Sequence, residues 1–420
     1  MPQPRVNKKK ILNDPIYGFI TIPNELTFDL IEHPYFQRLR RITQLGLTYL
    51  VYPGAYHTRF HHALGAMHLM QQAVSVLRSK GHEISTEEAR AVYLGILLHD
   101  VGHGPFSHAL ETCIVPGVHH ERVSLAIMER LNRKFEGQLT LAMDIFQDRY
   151  PKRFLHQLIS GQLDMDRLDY LRRDSFYSGV SEGQVGTERL LKMLNVANDE
   201  LVLDAKAVYS VEKFLVARRL MYWQVYLHKT VLVAEYILMH ILRRAKDLTQ
   251  KGERLFATDA FQSFLTSTLS PEEFYADDEL LERFTELDDA DIMASIKEWK
   301  NHEDPILARL SVALIDRRLF RIELSTKPFA PEQVAHYRAE VAEKYNVSVE
   351  EAGYMVYEDS IHNNLYDPEK DSIKLLYRDG SLKDVAEVSD HLHWGSQQGD
   401  VVKHLLIYPK SCRSYPTGTP

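Results

Sequence analysis

The densest chemistry in this 420-residue chain lies in one string, Leu98-His99-Asp100-Val101-Gly102-His103-Gly104-Pro105-Phe106-Ser107-His108. It sets an imidazole beside a carboxylate at the end of an apolar run, then adds two histidines on a glycine-rich stretch. Neighbouring residues on a helix point ~100° apart, so His99 and Asp100 can offer an ion two adjacent ligands but cannot enclose it. Closure needs side chains from other elements. Upstream, Arg59-Phe60-His61-His62 opens a helical pattern; downstream, Asp164-Met165-Asp166-Arg167-Leu168-Asp169-Tyr170 lies on another. His62, His99, Asp100 and Asp166 would make a set of two imidazoles and two carboxylates. Such a mixed set suits Mn, Fe, Mg, Ni or Zn better than a metal that prefers thiolates. Octahedral geometry would leave two positions for water and a phosphate oxygen, which metal-assisted phosphoester hydrolysis requires. A solitary His-Asp pair more often does no more than cap a helix end. The glycines and the additional His and Asp residues favour the metal.

Composition narrows the setting. Histidine occurs 20 times, and ten of these fall between His57 and His120. The net charge, 50 minus 58 or −8, excludes a generally basic nucleic-acid coat. Two cysteines, Cys113 and Cys412, form no disulfide framework, so a reducing, cytoplasmic setting is expected. The basic N-terminal stretch has no apolar run behind it and does not read as a secretory signal. The most apolar stretch, Thr230 to Leu242, is short and contains Glu235 and His240, which argues against a membrane span.

The elements that must position these side chains are mostly helical. Ile11 to Ile22 alternates around Asn13-Asp14-Pro15 and predicts a short hairpin. Ala63–Leu77 reads as a helix. Ser85 and Glu88 form a capping box for a helix that stops near Gly102. Further helices are expected over Glu121–Phe135, Leu139–Phe146, Phe154–Ser160, Met165–Arg173 and, as one long helix, Val211–Lys246. Pro271 to Asp291 is acidic and periodic, which predicts exposed helices packed on the main body. Ser372–Tyr377 and Leu382–Val388 flank Asp379-Gly380 as a hairpin, and Ser411 to Pro420 reads as a loose tail. The expected fold is mainly α, with a short N-terminal β-hairpin and a smaller mixed α/β C-terminal portion. The expected divisions are a hairpin segment over 1–25, a catalytic domain over 26–250, a helical connector over 251–304 and an α/β portion over 305–420.

Taken in order, several motifs carry a resemblance. They are Asn13-Asp14-Pro15-Ile16-Tyr17-Gly18, Phe36-Gln37-Arg38-Leu39-Arg40-Arg41-Ile42-Thr43-Gln44-Leu45-Gly46, Tyr52-Pro53-Gly54-Ala55, Arg59-Phe60-His61-His62, the His99–His108 string, His120-Glu121 and Asp164–Asp174. The chain resembles the HD-domain phosphohydrolases, and within them the deoxynucleoside triphosphate triphosphohydrolase branch, over roughly residues 10–245. The resemblance selects His62 over His61, and Asp166 over Asp164 or Asp169, as metal ligands beside His99 and Asp100. It implies that His108 protonates the leaving 5′-oxygen, supported by Glu111 and by the His120-Glu121 pair; Glu111 stands where the family has Asp. It implies phosphate contacts from Arg59, Arg167 and Arg218, with His103 in reach of the phosphate chain. Gln44 and Asp174 fall near the sugar 3′-hydroxyl, Tyr170 beneath the sugar, and Tyr226 on the helix that lines the base. Lys10, Ile11, Asn13, Gln37 and Arg40 match an effector-nucleotide site, where Glu32 replaces an Asp. The implied reaction is hydrolysis of a deoxynucleoside triphosphate to deoxynucleoside and tripolyphosphate. The implied protein is a homo-oligomer, dimer or tetramer, with a nucleotide activator and no membrane or nucleic-acid partner. Two alternatives are a phosphohydrolase or phosphodiesterase for ribonucleotides or signalling nucleotides, and a non-catalytic nucleotide sensor. A sensor would not need the whole ligand set.

Overall fold

In the computed structural model the described residues are 10–106, 108–363, 372–389, 401–413 and 415; the side chains of 108, 110, 362, 363 and 401 are not described. The fold is mainly helical, with an N-terminal β-hairpin and small C-terminal sheets. The helix Arg59–Ser79 lies at the centre and packs on both Thr86–Leu98 and Met165–Ser178. These three helices bring the distant motifs together. His61 accounts for the start of the central helix. Its Nδ1 accepts the Thr58 backbone N–H at 3.2 Å and so caps the helix, while His62 turns inward and is fully buried. Ser85 and Glu88 form the expected capping box on the second helix.

Two glycines make close approach possible. A Cβ on Gly65 would sit 2.1 Å from Asp169 Oδ1 and 2.2 Å from Arg173 Nη2, so only glycine lets the central helix lie against the Met165–Ser178 helix. A Cβ on Gly102 would meet the Ser124 amide at 2.2 Å and the His120 carbonyl oxygen at 2.4 Å. The turn after His99-Asp100 is therefore pressed onto the helix His120–Lys134.

The expected single helix over Val211–Lys246 is two helices, Val208–Met221 and Lys229–Gln250, with a wide π-type turn at Tyr222–Tyr226 between them. The chain bends by 56° there. His228 supplies the reason for the restart, since its side chain accepts the Thr230 backbone N–H. The apolar pattern runs through the break and conceals it. Among the described residues no single helix is long and apolar enough to cross a membrane; the bent pair passes such a test only by length and composition, and most apolar residues of its second arm are buried.

Further differences lie in the C-terminal half. The acidic helices Pro271–Ala276 and Asp278–Glu286 are not merely laid on the surface, because Phe274, Leu281, Phe284 and Leu287 are buried in the common core. A hairpin not apparent from the pattern, Leu194–Ala197 with Glu200–Asp204, turns at Asn198-Asp199, both at positive φ. Glu200–Asp204 then pairs in parallel with Lys374–Leu376, which pairs with Leu382–Asp384 across the Asp379-Gly380 turn. The C-terminal portion thus shares a sheet with the helical body. A second sheet orders Arg321–Ser325, Val401–Tyr408 and Tyr357–Asn363. The expected tail falls mostly outside the described residues.

Gly65→Ala should lower stability by about 1–3 kcal/mol, the cost of overpacking a tight contact, because the atoms it strikes are locked in a buried ion pair. Thermal unfolding of the variant beside the parent measures this.

Candidate active site

His62 leaves the first turn of the central helix, His99 and Asp100 end the Thr86–Leu98 helix, and Asp166 lies in the first turn of Met165–Ser178. His62 Nε2 is 3.0 Å from Asp166 Oδ1, 3.4 Å from His99 Nε2 and 3.9 Å from Asp100 Oδ2. His99 Nε2 is 3.3 Å from Asp100 Oδ1 and 3.5 Å from Asp166 Oδ1. The other nitrogen of each ring decides what these atoms offer. His62 Nδ1 faces Asp169 Oδ2 at 2.8 Å, and His99 Nδ1 faces the Ile96 carbonyl oxygen at 2.6 Å. Both partners are acceptors, so each Nδ1 carries a proton, and in the neutral ring that a cation would require each Nε2 presents its lone pair. His62, His99 and Asp166 thus gather donor atoms within reach of one ion, and Asp100 borders the group while paired to Arg59. Burial opposes a charge on His62, but hydrogen bonds to Asp166 and Asp169 outweigh it and push its pKa up to about 10. Burial likewise opposes and Asp100 promotes protonation of His99, with a net upward shift. Burial would raise the Asp166 carboxyl, yet His62 and His99 hold it well below the usual range. The cluster is built around positive charge, and its N/O donors fit a divalent cation.

The three neighbouring aspartates do different things. Asp164 caps the helix, accepting the Arg167 and Gly161 backbone N–H groups at 2.7 and 2.8 Å. Burial and the charge of Asp166 push its pKa up to about 6. Asp166 faces the cluster. Asp169 orients His62 and accepts from Arg173 at 2.9 and 3.0 Å. Arg173 continues to Asp14 of the N-terminal hairpin at 2.8 Å, and Asp14 accepts the Ile16 and Tyr17 amides. Burial would raise the Asp169 carboxyl, but the Arg173 charge and the His62 bond hold it at about 2.

Asp100 also looks the other way. Its Oδ2 accepts from Arg59 Nη1 at 2.6 Å, and its Oδ1 lies 3.3 Å from His103 Nε2. Burial and the Arg59 charge hold His103 well below the ordinary histidine range, so it is neutral. The His103 ring stacks on His120 with centroids 3.7 Å apart and planes at 16°. His120 Nδ1 meets Glu111 Oε1 at 3.0 Å, so the longer Glu still reaches it. Parallel rings send their in-plane lone pairs alongside one another, not toward one point. The His103–Glu111–His120 group therefore suits proton movement better than a second cation. His108 opens the helix His108–Cys113, and its side chain lies outside the described residues. Glu121 is exposed, one position around the helix from His120, and among the described residues it makes no hydrogen bond or ion pair with the cluster.

Arg59 and Arg218 are buried. Arg218 donates to Gln162 at 2.9 Å, and Arg167 donates to the Gly161 carbonyl oxygen at 2.6 Å. Tyr170 meets Tyr226 edge to face with centroids 6.2 Å apart. The Tyr226 hydroxyl donates to Asp174 Oδ2 at 2.8 Å, and His57 Nε2 meets Asp174 Oδ1 at 2.7 Å. Nothing in the sequence marks His57 beyond its place in the histidine-rich stretch. Gln44 stands on this network through its amide, which donates to the His57 carbonyl oxygen, and its Oε1 is buried with no partner among the described residues. Elsewhere, Lys10 lies 3.5 Å from the centroid of the Phe28 ring, and Ile11 and Asn13 are exposed on the hairpin. Arg40 donates to Gln37 and covers the Phe60 ring. These two candidate effector groups share no hydrogen bond or ion pair among the described residues.

Asp169→Asn should weaken Mn2+ binding about 10- to 100-fold, the usual cost of losing a group that orients a ligand histidine. Calorimetric titration of metal-free protein reads this. Because its folded pKa is depressed, Asp169 contributes stability that is fully present above its unfolded value of ~3.9 and is lost as pH falls through about 2. The variant should lack that part of the acid limb in urea unfolding between those values.

Comparison with known proteins agrees with this geometry. Residues 59–173 match the HD domain family and residues 185–267 match the HD associated region. The chain is 32% identical over 428 residues to the uncharacterized protein YwfO of Bacillus subtilis, covering 97% of this chain and 94% of that one. A crystal structure of a phosphohydrolase from Bacteroides thetaiotaomicron superposes with a TM-score of 0.93 at 51% identity, covering 96% of this chain and all of that one. The deoxynucleoside triphosphate triphosphohydrolase SAMHD1 homolog of Dictyostelium discoideum is 29% identical over 265 residues, 59% of this chain and 51% of that protein. The chain thus matches only about half the length of that enzyme. With the histidine–aspartate cluster at its centre, this chain belongs to the HD-domain phosphohydrolases, metal-dependent enzymes of phosphoester hydrolysis.

Proposed function

We propose that the protein hydrolyses deoxynucleoside triphosphates to deoxynucleoside and tripolyphosphate. The observation that carries the reading is the position of Asp100. It stands within 3.3 Å of His99 in the cation cluster and within 3.3 Å of His103, which stacks on the Glu111-linked His120. A phosphorus atom held at the cluster therefore has an imidazole pair at its flank.

His62, His99, Asp100 and Asp166 would hold the divalent cation. When bound, it would supply positive charge to the α-phosphate and to the attacking water. The chain's own residues do the rest. Arg59, Arg167 and Arg218 offset the triphosphate charge, and burial keeps two of the three out of competing bulk solvent. His108 would protonate the leaving 5′-oxygen, supported by His120, which Glu111 orients at 3.0 Å. Tyr170 and Tyr226 form a wall against the sugar, and such a wall favours a deoxyribose. Asp174, held by His57 and Tyr226, faces the 3′ side together with Gln44. The named deoxynucleoside triphosphate triphosphohydrolases among the relatives support the substrate class. Lys10, Ile11, Asn13, Gln37 and Arg40 are the positions at which an activating nucleotide would bind between copies of the chain.

The test is one product assay. Purified protein with Mn2+ is given the four dNTPs, ATP and cyclic nucleotides, with and without GTP, and the products are separated by chromatography. Tripolyphosphate and deoxynucleoside are expected from at least one dNTP, with His120→Ala and Glu111→Gln slowed by about 10²–10⁴-fold and 10-fold or more respectively. No tripolyphosphate from any dNTP, with turnover of another phosphoester, would transfer the protein to the ribonucleotide or signalling-nucleotide class. No turnover at all would leave a nucleotide sensor.

A further inference from the structure

The His99–His103 turn is held from outside by two side chains of separate elements. Arg38, in the short 3-10 turn Arg38–Arg41, donates from Nη1 to the Val101 carbonyl oxygen at 2.9 Å and from Nη2 to that of His103 at 2.6 Å. Ser124, on the His120–Lys134 helix, donates its hydroxyl to the His99 carbonyl oxygen at 2.6 Å and accepts the Gly102 amide at 2.9 Å. Three carbonyls and one amide within five residues are thus fixed by Arg38 and Ser124, while the side chains of His99, Asp100 and His103 reach His62, Asp166 and His120.

Arg38 lies over the Phe284 ring at 5.6 Å, a packing role that a neutral side chain could also fill. Arg38 is 1% exposed, its Nε has no partner, and among the described residues no carboxylate is bonded to it. Burial pushes its pKa down to about 9, so it remains charged at neutral pH. A buried guanidinium without a bonded carboxylate costs stability that a neutral filler would not. It offers a rigid fork whose two arms reach carbonyls two residues apart. Ser124 is equally specific, since one hydroxyl both donates to and accepts from the same turn.

We propose that Arg38 and Ser124 are positioning residues of the active site, which hold the His99–His103 turn so that Asp100 faces the cation cluster while His103 faces His120. The proposal rests on metal-dependent phosphoester hydrolysis and not on the deoxynucleotide substrate.

Wild type, Arg38→Met, Arg38→Lys, Ser124→Ala and Ser124→Thr are titrated metal-free with Mn2+ by calorimetry and unfolded thermally in the same state. Arg38→Met and Ser124→Ala should bind Mn2+ about 10- to 100-fold more weakly while still unfolding cooperatively. Ser124→Thr, which keeps the hydroxyl, should stay near wild type, and Arg38→Lys, which keeps charge without the fork, should fall between. On whichever phosphoester the wild type turns over, kcat should fall more than KM changes. Unchanged Mn2+ affinity and kcat in both deletion variants overturn the proposal. So does a loss that follows the melting midpoint alike in Ser124→Ala and Ser124→Thr, which marks a packing role. If Arg38→Met does not fold, the Ser124 pair decides. Failure of the dNTP assay leaves the Mn2+ result standing; a wild type that binds no Mn2+ overturns both.

Discussion

Two imidazole nitrogens and two carboxylates crowd together across 3.0 to 3.9 Å at the centre of this protein. The carboxylates favour positive charge here, whether a proton on the imidazoles or a divalent cation in its place. Each ring is committed to that task by the acceptor behind it: Asp169 for His62, the Ile96 carbonyl for His99. The commitment extends through Arg173 to Asp14 of the N-terminal hairpin, 159 residues away from Arg173 in the chain. Because Asp169 and Arg173 are fully buried, neither can exchange its partner for water. Removing one would leave a charge uncompensated in the interior, which is far costlier than losing a surface pair.

The same dependence on distant chain recurs around the rest of the site. Arg41 is paired with Asp288, and Asp289 accepts both the amide and the hydroxyl of Thr43, the residue before Gln44. Burial pushes the Asp289 carboxyl up to about 6 despite those bonds. The Tyr275 hydroxyl donates to the His119 carbonyl oxygen, next to His120. The acidic helices between residues 271 and 299 thus hold two segments that border the site. Their buried phenylalanines make them part of one core, and the shared sheet binds the C-terminal strands to the same body. The site is a property of the whole chain.

Much of this was legible in the residues. The His-Asp pair at a helix end, the capping box at Ser85, the hairpin around Asn13-Asp14-Pro15 and the Asp379-Gly380 turn are local signals, and local physics expresses them. The break at Tyr222–Tyr226 was not legible, because an apolar pattern continues through it and the restart depends on a single imidazole at His228. Nor was the distinct task of His57, whose partner Asp174 is 117 residues away. Glu121 was matched to its neighbour His120 by adjacency, and helical geometry turns it to solvent.

The order of residue types names the available groups and the elements that carry them: imidazoles and carboxylates near helix ends, a run of further imidazoles, and helices with recognisable ends. Packing turns one of two adjacent histidines inward, points one of three nearby aspartates at the cluster and fixes which acceptor stands behind each ring. Those choices depend on what lies behind each side chain. That neighbour comes from another part of the chain, so no local pattern can encode it.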